Sequence, residues 1–135
     1  MRRRCAYLVE KGVIFADLSG LYADADQVDG LIEEVLVLAA ELPTKVPLLS
    51  CWTGTKMSPG GAERYGERLP ALLAAVQGIV RYSVTDPATR IRLQTELQRH
   101  RESLHTGYLY TTRAEALEAI RQMRNVASTV ETGSD

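Results

Sequence analysis

The sequence predicts a single α/β domain whose β-sheet is mostly parallel. Segments of strand length alternate with amphipathic segments of helix length along almost the whole chain. The first two strand-like segments are joined by a short turn, which predicts one antiparallel edge strand. With 135 residues, of which 45% are hydrophobic and 24% charged, the chain has the size and composition of one globular domain with its own core.

A hairpin opens the chain. Residues 6–9 and 13–16 have the composition of strands, and the intervening turn is Glu10-Lys11-Gly12. The second strand is apolar throughout, which is typical of a strand covered on both faces.

Residues 24–41 form the clearest predicted helix. Leu36 and Val37 lie outside its main apolar stripe, so we expect more than one apolar face and, from that, a homodimer. The stripe has the spacing of a single buried face and consists of Val28, Leu31, Ile32, Val35, Leu38, Ala39 and Leu42.

The middle of the chain predicts a third strand at residues 46–51 and a second helix at residues 62–76. Gly66 and Pro70 lie inside that helix. Because proline removes a helical hydrogen bond, we expect a kink or a restart at Leu69.

A fourth strand is predicted at residues 78–84, followed by a third helix that begins at Thr85-Asp86-Pro87. The apolar side of this helix is assigned to Ile91, Leu93, Leu97 and Leu104. A short fifth strand follows at residues 107–110.

Thr112 and Glu115 have the spacing of a capping box and predict the start of a last helix. The complete predicted order is ββαβαβαβα, with helices covering the sheet. Residues 1–126 are assigned to the domain. Residues 127–135 are small and polar, and are predicted to form a flexible C-terminal tail.

Charge and composition exclude several classes of protein. The net charge of -1 gives no general attraction to nucleic acid. Two cysteines are too few for a disulfide scaffold, and no apolar segment has the roughly 18 residues of a transmembrane helix. The basic start is followed by an apolar run too short for a signal peptide. We therefore expect a cytoplasmic protein.

Three short motifs follow the predicted strands and open the last helix: Asp17-Leu18-Ser19-Gly20, Cys51-Trp52-Thr53-Gly54-Thr55 and Thr112-Arg113-Ala114-Glu115-Ala116. In their order and spacing, over about residues 6–123, they resemble the bacterial SpoIIAA-like family, the STAS-like relatives of anti-anti-sigma factors. That family has Asp-aromatic-Ser-Gly, Asp-x-Thr-Gly-Thr and Thr-x-Glu-Glu-Ala at these places. The resemblance implies a STAS-like domain.

The resemblance also implies a non-enzymatic role in binding a protein partner, or a lipophilic ligand by similarity to Sec14-type lipid carriers. Two departures bear on this role. Cys51 stands where the family has aspartate, and the loop lacks the acid and the second serine of the phosphorylated Asp-Ser-Ser-Gly type. The resemblance therefore does not imply a phosphorylation switch in this chain.

The carboxyl ends of parallel strands meet at one edge of a sheet, where ligands of open α/β sheets bind. We therefore expect the polar strand exits to form a binding rim. An alternative explanation is that these residues make turns and caps by bonding to nearby backbone, and that the tryptophan caps the core instead of anchoring a partner. The residues concerned are Asp17, Ser19, Gly20, Trp52, Thr53, Thr55, Thr85 and Asp86.

Arg90, Arg92 and Arg99 give the predicted third helix a basic face. Such a face could contact an acidic protein or anionic lipid headgroups, and the alternative is an ordinary solvated helix surface.

No catalytic motif is found. The sequence contains no Walker loop, dinucleotide fingerprint or Gly-x-Ser-x-Gly elbow. Gly60-Gly61 is interpreted as a flexible loop and not as a phosphate-binding loop. Cys51 has no neighbouring base in sequence, and His100 and His105 lack ligand spacing with the cysteines. We therefore predict no catalytic residues, no metal and no cofactor.

Together, these observations predict a regulatory or scaffolding interaction module that docks a protein partner or a second copy of itself. A carrier or sensor of a lipophilic small molecule, acting at the membrane surface, is the alternative. Leu36, Val37 and the interrupted second helix keep this alternative open.

Overall fold

The computed structural model describes residues 4–84 and 109–133, with the single positions Ala88, Ile91 and Thr95, and it describes side chains as far as Asn125. The strands described are β1 (Cys5–Leu8), β2 (Val13–Asp17), β3 (Tyr22–Ala23), β4 (Pro47–Cys51), β5 (Lys56–Met57), β6 (Gly78–Tyr82) and β7 (Leu109–Tyr110). The helices described over their length are α1 (Ala25–Ala40), α2 (Pro59–Ala75) and α3 (Arg113–Gly133).

The main sheet has five strands in the order β1-β2-β4-β6-β7. β1 is antiparallel to β2, and all the other neighbours are parallel. The prediction of an α/β chain with a mixed, mostly parallel sheet is therefore confirmed. β3 and β5 form a separate two-stranded parallel sheet. No pattern in the sequence predicts this pair, because segments of two residues have no periodicity.

Helices cover both faces of the main sheet. α1 and α2 pack on one face around buried residues such as Ile14, Leu48 and Leu69. α3 covers the other face, where Ala116 and Ile120 contact the side of the sheet that contains Leu49 and Val80. β2, β4 and β6 are thus covered on both sides, which explains their nearly continuous apolar sequences.

α1 begins where the sequence predicts, because Asp24 caps it by accepting a hydrogen bond from the amide of Gln27 (2.9 Å). The acidic side of this helix contacts α2. Arg68 donates to Asp29 (3.2 Å) and to Glu33 (2.6 Å), and Arg64 also pairs with Asp29. These carboxylates connect the two helices.

Glu34 differs from its neighbour Glu33. Glu33 is exposed, whereas one carboxylate oxygen of Glu34 is buried and has no hydrogen-bond partner among the described residues. Its charge is close enough to contribute, after burial, to raising the pKa of Cys5 to about 12. The thiol is therefore protonated, and Glu34 belongs to the contact between α1 and β1.

α2 corrects two predictions. The helix continues through Pro70 without the restart expected at Leu69, because buried residues on both sides of the proline, Leu69 and Leu72, hold it against the sheet. Gly61 also does more than give flexibility to a loop. A Cβ atom at this position would lie 2.1 Å from the carbonyl oxygen of Ala23, so the first turn of α2 approaches β3 at a distance that only glycine permits.

The last helix starts at its predicted cap, since the amide of Glu115 donates to Thr112 Oγ1 (3.1 Å). α3 then continues to Gly133 and includes residues 127–133, where the sequence predicts a flexible tail. On the predicted apolar side of the third helix only Ile91 is described, and it is 60% exposed. None of the helices in the described ranges is long and apolar enough to cross a membrane.

Candidate functional site

The exits of β2 and β4 lie side by side at the carboxyl edge of the sheet. Backbone hydrogen bonds join them directly: the amide of Leu18 donates to Cys51 (2.9 Å), and that of Gly20 donates to Thr53 (2.9 Å). The chains continue together into β3 and β5, where the amide of Lys56 donates to Leu21 (2.9 Å). The two loops form one hydrogen-bonded double loop, and this edge of the sheet is where ligands bind in open α/β folds.

The polar side chains of the double loop bond within it. Asp17 Oδ1 accepts from the amide (3.0 Å) and the hydroxyl (2.6 Å) of Ser19, which is the geometry of an Asx turn. The hydroxyl of Thr55 is buried and donates to the carbonyl of Leu18 (2.7 Å). Thr53 Oγ1 accepts from the amide of Val84 (2.9 Å). These contacts favour the interpretation of the polar residues as turn and bridging groups.

Trp52 points into the core and is 1% exposed. Its indole N–H donates to Ser50 Oγ (3.0 Å), and its ring meets Tyr65 edge to face, with centroids 5.6 Å apart. A side chain in this position packs the interior, which favours the alternative that the tryptophan caps the core.

A buried cation accompanies this aromatic pair. Arg81, in β6, is 1% exposed. Its Nε (3.0 Å) and Nη2 (2.5 Å) both donate to the hydroxyl of Tyr65, and the guanidinium lies over the same ring at 5.3 Å from the centroid. The sequence signal for this arrangement was a single charge inside an otherwise apolar strand.

The surface of the double loop has a different composition from its interior. Tyr22 is 63% exposed and Val84 is 58% exposed. Tyr22 lies opposite Lys56 in the β3–β5 pair, and Lys56 is exposed. We call the exposed set Gly20, Tyr22, Gly54, Lys56 and Val84 the rim surface.

Two members of the rim surface, Tyr22 and Lys56, were missed by sequence reasoning, because they lie just beyond the strand exits that the sequence predicts to form the rim. The available signal was Tyr22, a large aromatic residue in a short segment between a glycine and a helix cap. Gly20 and Gly54 have φ values of 69° and 70°, a backbone region that favours glycine. Their conformations allow the two loops to turn in close contact.

Cys51 lies at the end of β4, between Asp17 and Tyr82 in the strand register. Its thiol is buried and donates to Thr53 Oγ1 (3.4 Å). Burial and a hydrogen bond with Cys51 raise the pKa of Tyr82 to about 12. In the described ranges, no three His, Cys, Asp or Glu residues form a metal-binding group.

A cavity and a groove lie beside the helices on the α1–α2 face of the sheet. A cavity of about 30 Å³ lies between the sheet and these helices, with Leu18, Val35 and Tyr65 in its wall. Its lining is almost entirely apolar, and its volume is on the order of one or two water molecules. A shallow groove of about 370 Å³ lies at the other end of α1, lined by Leu36, Leu42 and Ala75 among others.

The remaining predicted site residues lie outside the described part of the chain. These are Thr85 and Asp86 of the rim, and Arg90, Arg92 and Arg99 of the basic face. The rim is therefore described for the exits of β2 and β4 and for the first residues after β6.

Comparisons with protein-family models, with curated proteins and with solved structures give no match to this chain.

Proposed function

We propose that this chain is a non-enzymatic interaction module of STAS-like type, with a regulatory or scaffolding role, that docks a protein partner through the rim surface. The resemblance of the three strand-exit and helix-start motifs supports the STAS-like assignment. An antiparallel edge strand followed by parallel strands, with helices on both faces, is in keeping with it.

One observation carries the proposal: Tyr22 is 63% exposed on a double loop whose polar groups are bonded internally. Exposed tyrosine on a rigid support is typical of the centres of protein interfaces, because it buries a large area at a small entropic cost. The neighbouring Val84 adds apolar area, and Lys56 supplies a charge at the margin.

The proposal places this interaction in the cytoplasm. Both cysteines are free and buried, which suits a reducing compartment.

Photo-crosslinking tests the docking surface. A photoreactive phenylalanine analogue replaces Tyr22 in the native host, and a matched protein carries it at Leu73, which is 40% exposed on α2. We expect position 22 to capture one protein partner, identified by mass spectrometry and confirmed by reciprocal pull-down, and position 73 to capture none of it.

Binding of the purified partner then gives the energetic test. Tyr22→Ala is expected to weaken binding about tenfold or more, because truncation of a central interface tyrosine costs about 2 kcal/mol. Leu73→Ala is expected to leave affinity within about twofold. Equal affinity of the Tyr22→Ala variant and the parent, with both folded by circular dichroism, contradicts the proposal.

The lipophilic carrier is the second candidate, and the apolar cavity between the sheet and α1–α2 is the observation in its favour. At about 30 Å³ it is far below the roughly 300–1,000 Å³ of ligand pockets, so a ligand requires the helices to move apart. Native mass spectrometry of protein purified from its own host tests this candidate. A stoichiometric lipophilic molecule at that step supports the carrier over the docking module.

A further inference from the structure

The helix layer formed by α1 and α2 has two unlike halves. Near the carboxyl edge of the sheet, charged side chains connect the two helices, as Arg68 does with Asp29 and Glu33. Both helices end just before a parallel strand begins, so their last turns lie at the amino edge. There, residues 35–40 of α1 and residues 69–76 of α2 contain no charged or polar side chain.

Part of this uncharged half faces solvent. Val37 is 56% exposed, and Ala40, one turn later on the same side of α1, is also exposed. Ala40 and Leu36 line the groove of about 370 Å³ between the end of α1 and Ala75 of α2. Ala71 is exposed one turn before Ala75. We call Leu36, Val37, Ala40, Ala71 and Ala75 the groove surface. An exposed apolar set of this kind on two neighbouring helices is typical of an interaction site.

Two opposite charges lie at the end of the groove. Glu41 is the C-terminal cap residue of α1, and Lys45, in the following loop, forms part of the groove wall. Both are exposed, and neither forms an ion pair with another described residue. A carboxylate at a helix C-terminus adds to the negative end of the helix dipole, and the last turn of α1 contains no basic residue. This helix end therefore favours a cation supplied from outside.

A second copy of this chain supplies that cation. A twofold axis through the groove brings the loop of each copy to the end of α1 in the other, so that Lys45 of one copy faces Glu41 of the other. The same axis brings the two groove surfaces together, where the small side chain of Ala40 allows the helices to approach closely. Because the surface combines one charge of each sign with apolar residues, it matches itself better than a uniformly acidic or basic partner.

We infer that two copies of this chain associate through the groove surface in an isologous contact, with Val37 and Ala40 at its centre and Glu41 paired with Lys45 across the twofold axis. The contact lies at the amino edge of the sheet, whereas the rim surface lies at the carboxyl edge. It leaves the rim surface of each copy free, so it holds or fails independently of the function proposed there.

A charge swap tests the pairing. Sedimentation equilibrium of the parent is expected to show a dimer that weakens as salt is raised, since exposed ion pairs are screened. Glu41→Lys and Lys45→Glu each create two like-charge contacts and are expected to raise the dissociation constant about tenfold. The double variant, Glu41→Lys with Lys45→Glu, restores opposite charges and is expected to return within about threefold of the parent. Glu41→Lys also suits the helix dipole, so its effect is not a loss of folding.

Val37→Asp tests the apolar centre of the contact. It buries a carboxylate in the dimer and is expected to raise the dissociation constant at least tenfold. Val84→Asp is the matched control, because Val84 has nearly the same exposure, 58%, at the opposite edge of the sheet. It is expected to leave the dissociation constant unchanged, with both variants folded by circular dichroism. A chain that is monomeric at all concentrations overturns the inference. So does a dimer that tolerates Val37→Asp, or a double charge variant that is no better than the single ones.

Photo-crosslinking in the native host identifies the occupant of the groove surface. A photoreactive phenylalanine analogue at position 37 is expected to give a covalent dimer of this chain, recognised by its mass and by peptides from a single sequence. The same analogue at position 84 is expected to give no such dimer. Capture of a different protein at position 37, with no covalent dimer, overturns the assignment of this surface to a second copy.

Discussion

The rim surface and the β1 edge expose opposite kinds of groups. At the rim, Asp17, Thr53 and Thr55 bond within the double loop, and what faces solvent includes Tyr22 and Val84. At the β1 edge the strand has no charged side chain. The backbone donors and acceptors of Cys5 and Tyr7 do not bond to β2 and are turned outward. The rim is therefore suited to bury apolar area, whereas the edge is suited to extend a sheet.

This difference shows that a polar residue in a strand exit is not by itself evidence of a recognition group. A short polar side chain next to a tight turn has backbone groups within reach before any ligand arrives. Exposed backbone groups cannot be recognised from the amino-acid composition of a strand. Side-chain hydrogen bonds therefore decide which groups the rim exposes, and strand pairing decides which groups the edge exposes.

Gly61 gives the largest expected effect, and it tests whether the rim depends on its contact with α2. Gly61→Ala places a Cβ atom 2.1 Å from the carbonyl oxygen of Ala23 and forces β3 away from the helix. We expect the free energy of unfolding to fall by about 3 kcal/mol, measured by urea denaturation. Gly60→Ala is the control, because its nearest contact is Ser58 Oγ at 3.9 Å. Equal losses in the two variants contradict this account of the rim.

Cys5, in β1, gives the next largest expected effect, which is a pH dependence of stability. Burial, with a smaller contribution from Glu34, raises the pKa of its thiol from 9.0 to about 12. The raised pKa means that the folded state holds the proton after the unfolded state has lost it. Stability is therefore unaffected below about pH 9 and falls as the pH rises from 9 towards 12.

The measurement compares the parent with Cys5→Ala in urea at pH 8 and pH 11. We expect the parent to lose about 1–2 kcal/mol more than the variant over this interval, allowing for partial solvent screening. Both proteins keep a common pH-dependent loss from Tyr82, whose pKa is also raised to about 12. Parallel pH profiles for the parent and the variant would show that α1 does not shield the thiol at this edge.

Thr55 gives the smallest expected effect on stability. It tests whether the polar side chains of the double loop stabilise it by bonding within it. Thr55→Val keeps the shape of the side chain but removes the donor to Leu18 (2.7 Å). It is expected to cost about 1 kcal/mol of unfolding free energy. Thr44→Val, at an exposed position in the loop after α1, is expected to change stability by less than about 0.5 kcal/mol.

Much of the architecture was predictable because it depends on local patterns. The spacing from Val28 to Val35 predicted α1, Thr112 capped the last helix as predicted, and the hairpin turn at residues 10–12 predicted the antiparallel edge strand. Helix caps and amphipathic periods act over three or four residues, so they can be seen in the sequence without knowledge of the fold.

The continuity of α2 could not be predicted in this way. Pro70 weakens the helix locally, and the stabilising contacts of Leu69 and Leu72 come from a sheet built by distant parts of the chain. The role of Gly61 was missed for the same reason, because Ala23 approaches it from 38 residues earlier in the sequence.

The sequence by itself determined the alternation of strands and helices, the helix caps and the glycines at the turns, since these follow from hydrophobic period and local backbone preference. Only the tertiary structure decided which side chains of the strand exits face solvent. Trp52 turned inward, Thr55 bonded across to the neighbouring exit, and Tyr22 was left exposed. That outcome depends on the parallel pairing of β2 with β4, which brings together loops more than thirty residues apart, and no local pattern encodes such a contact.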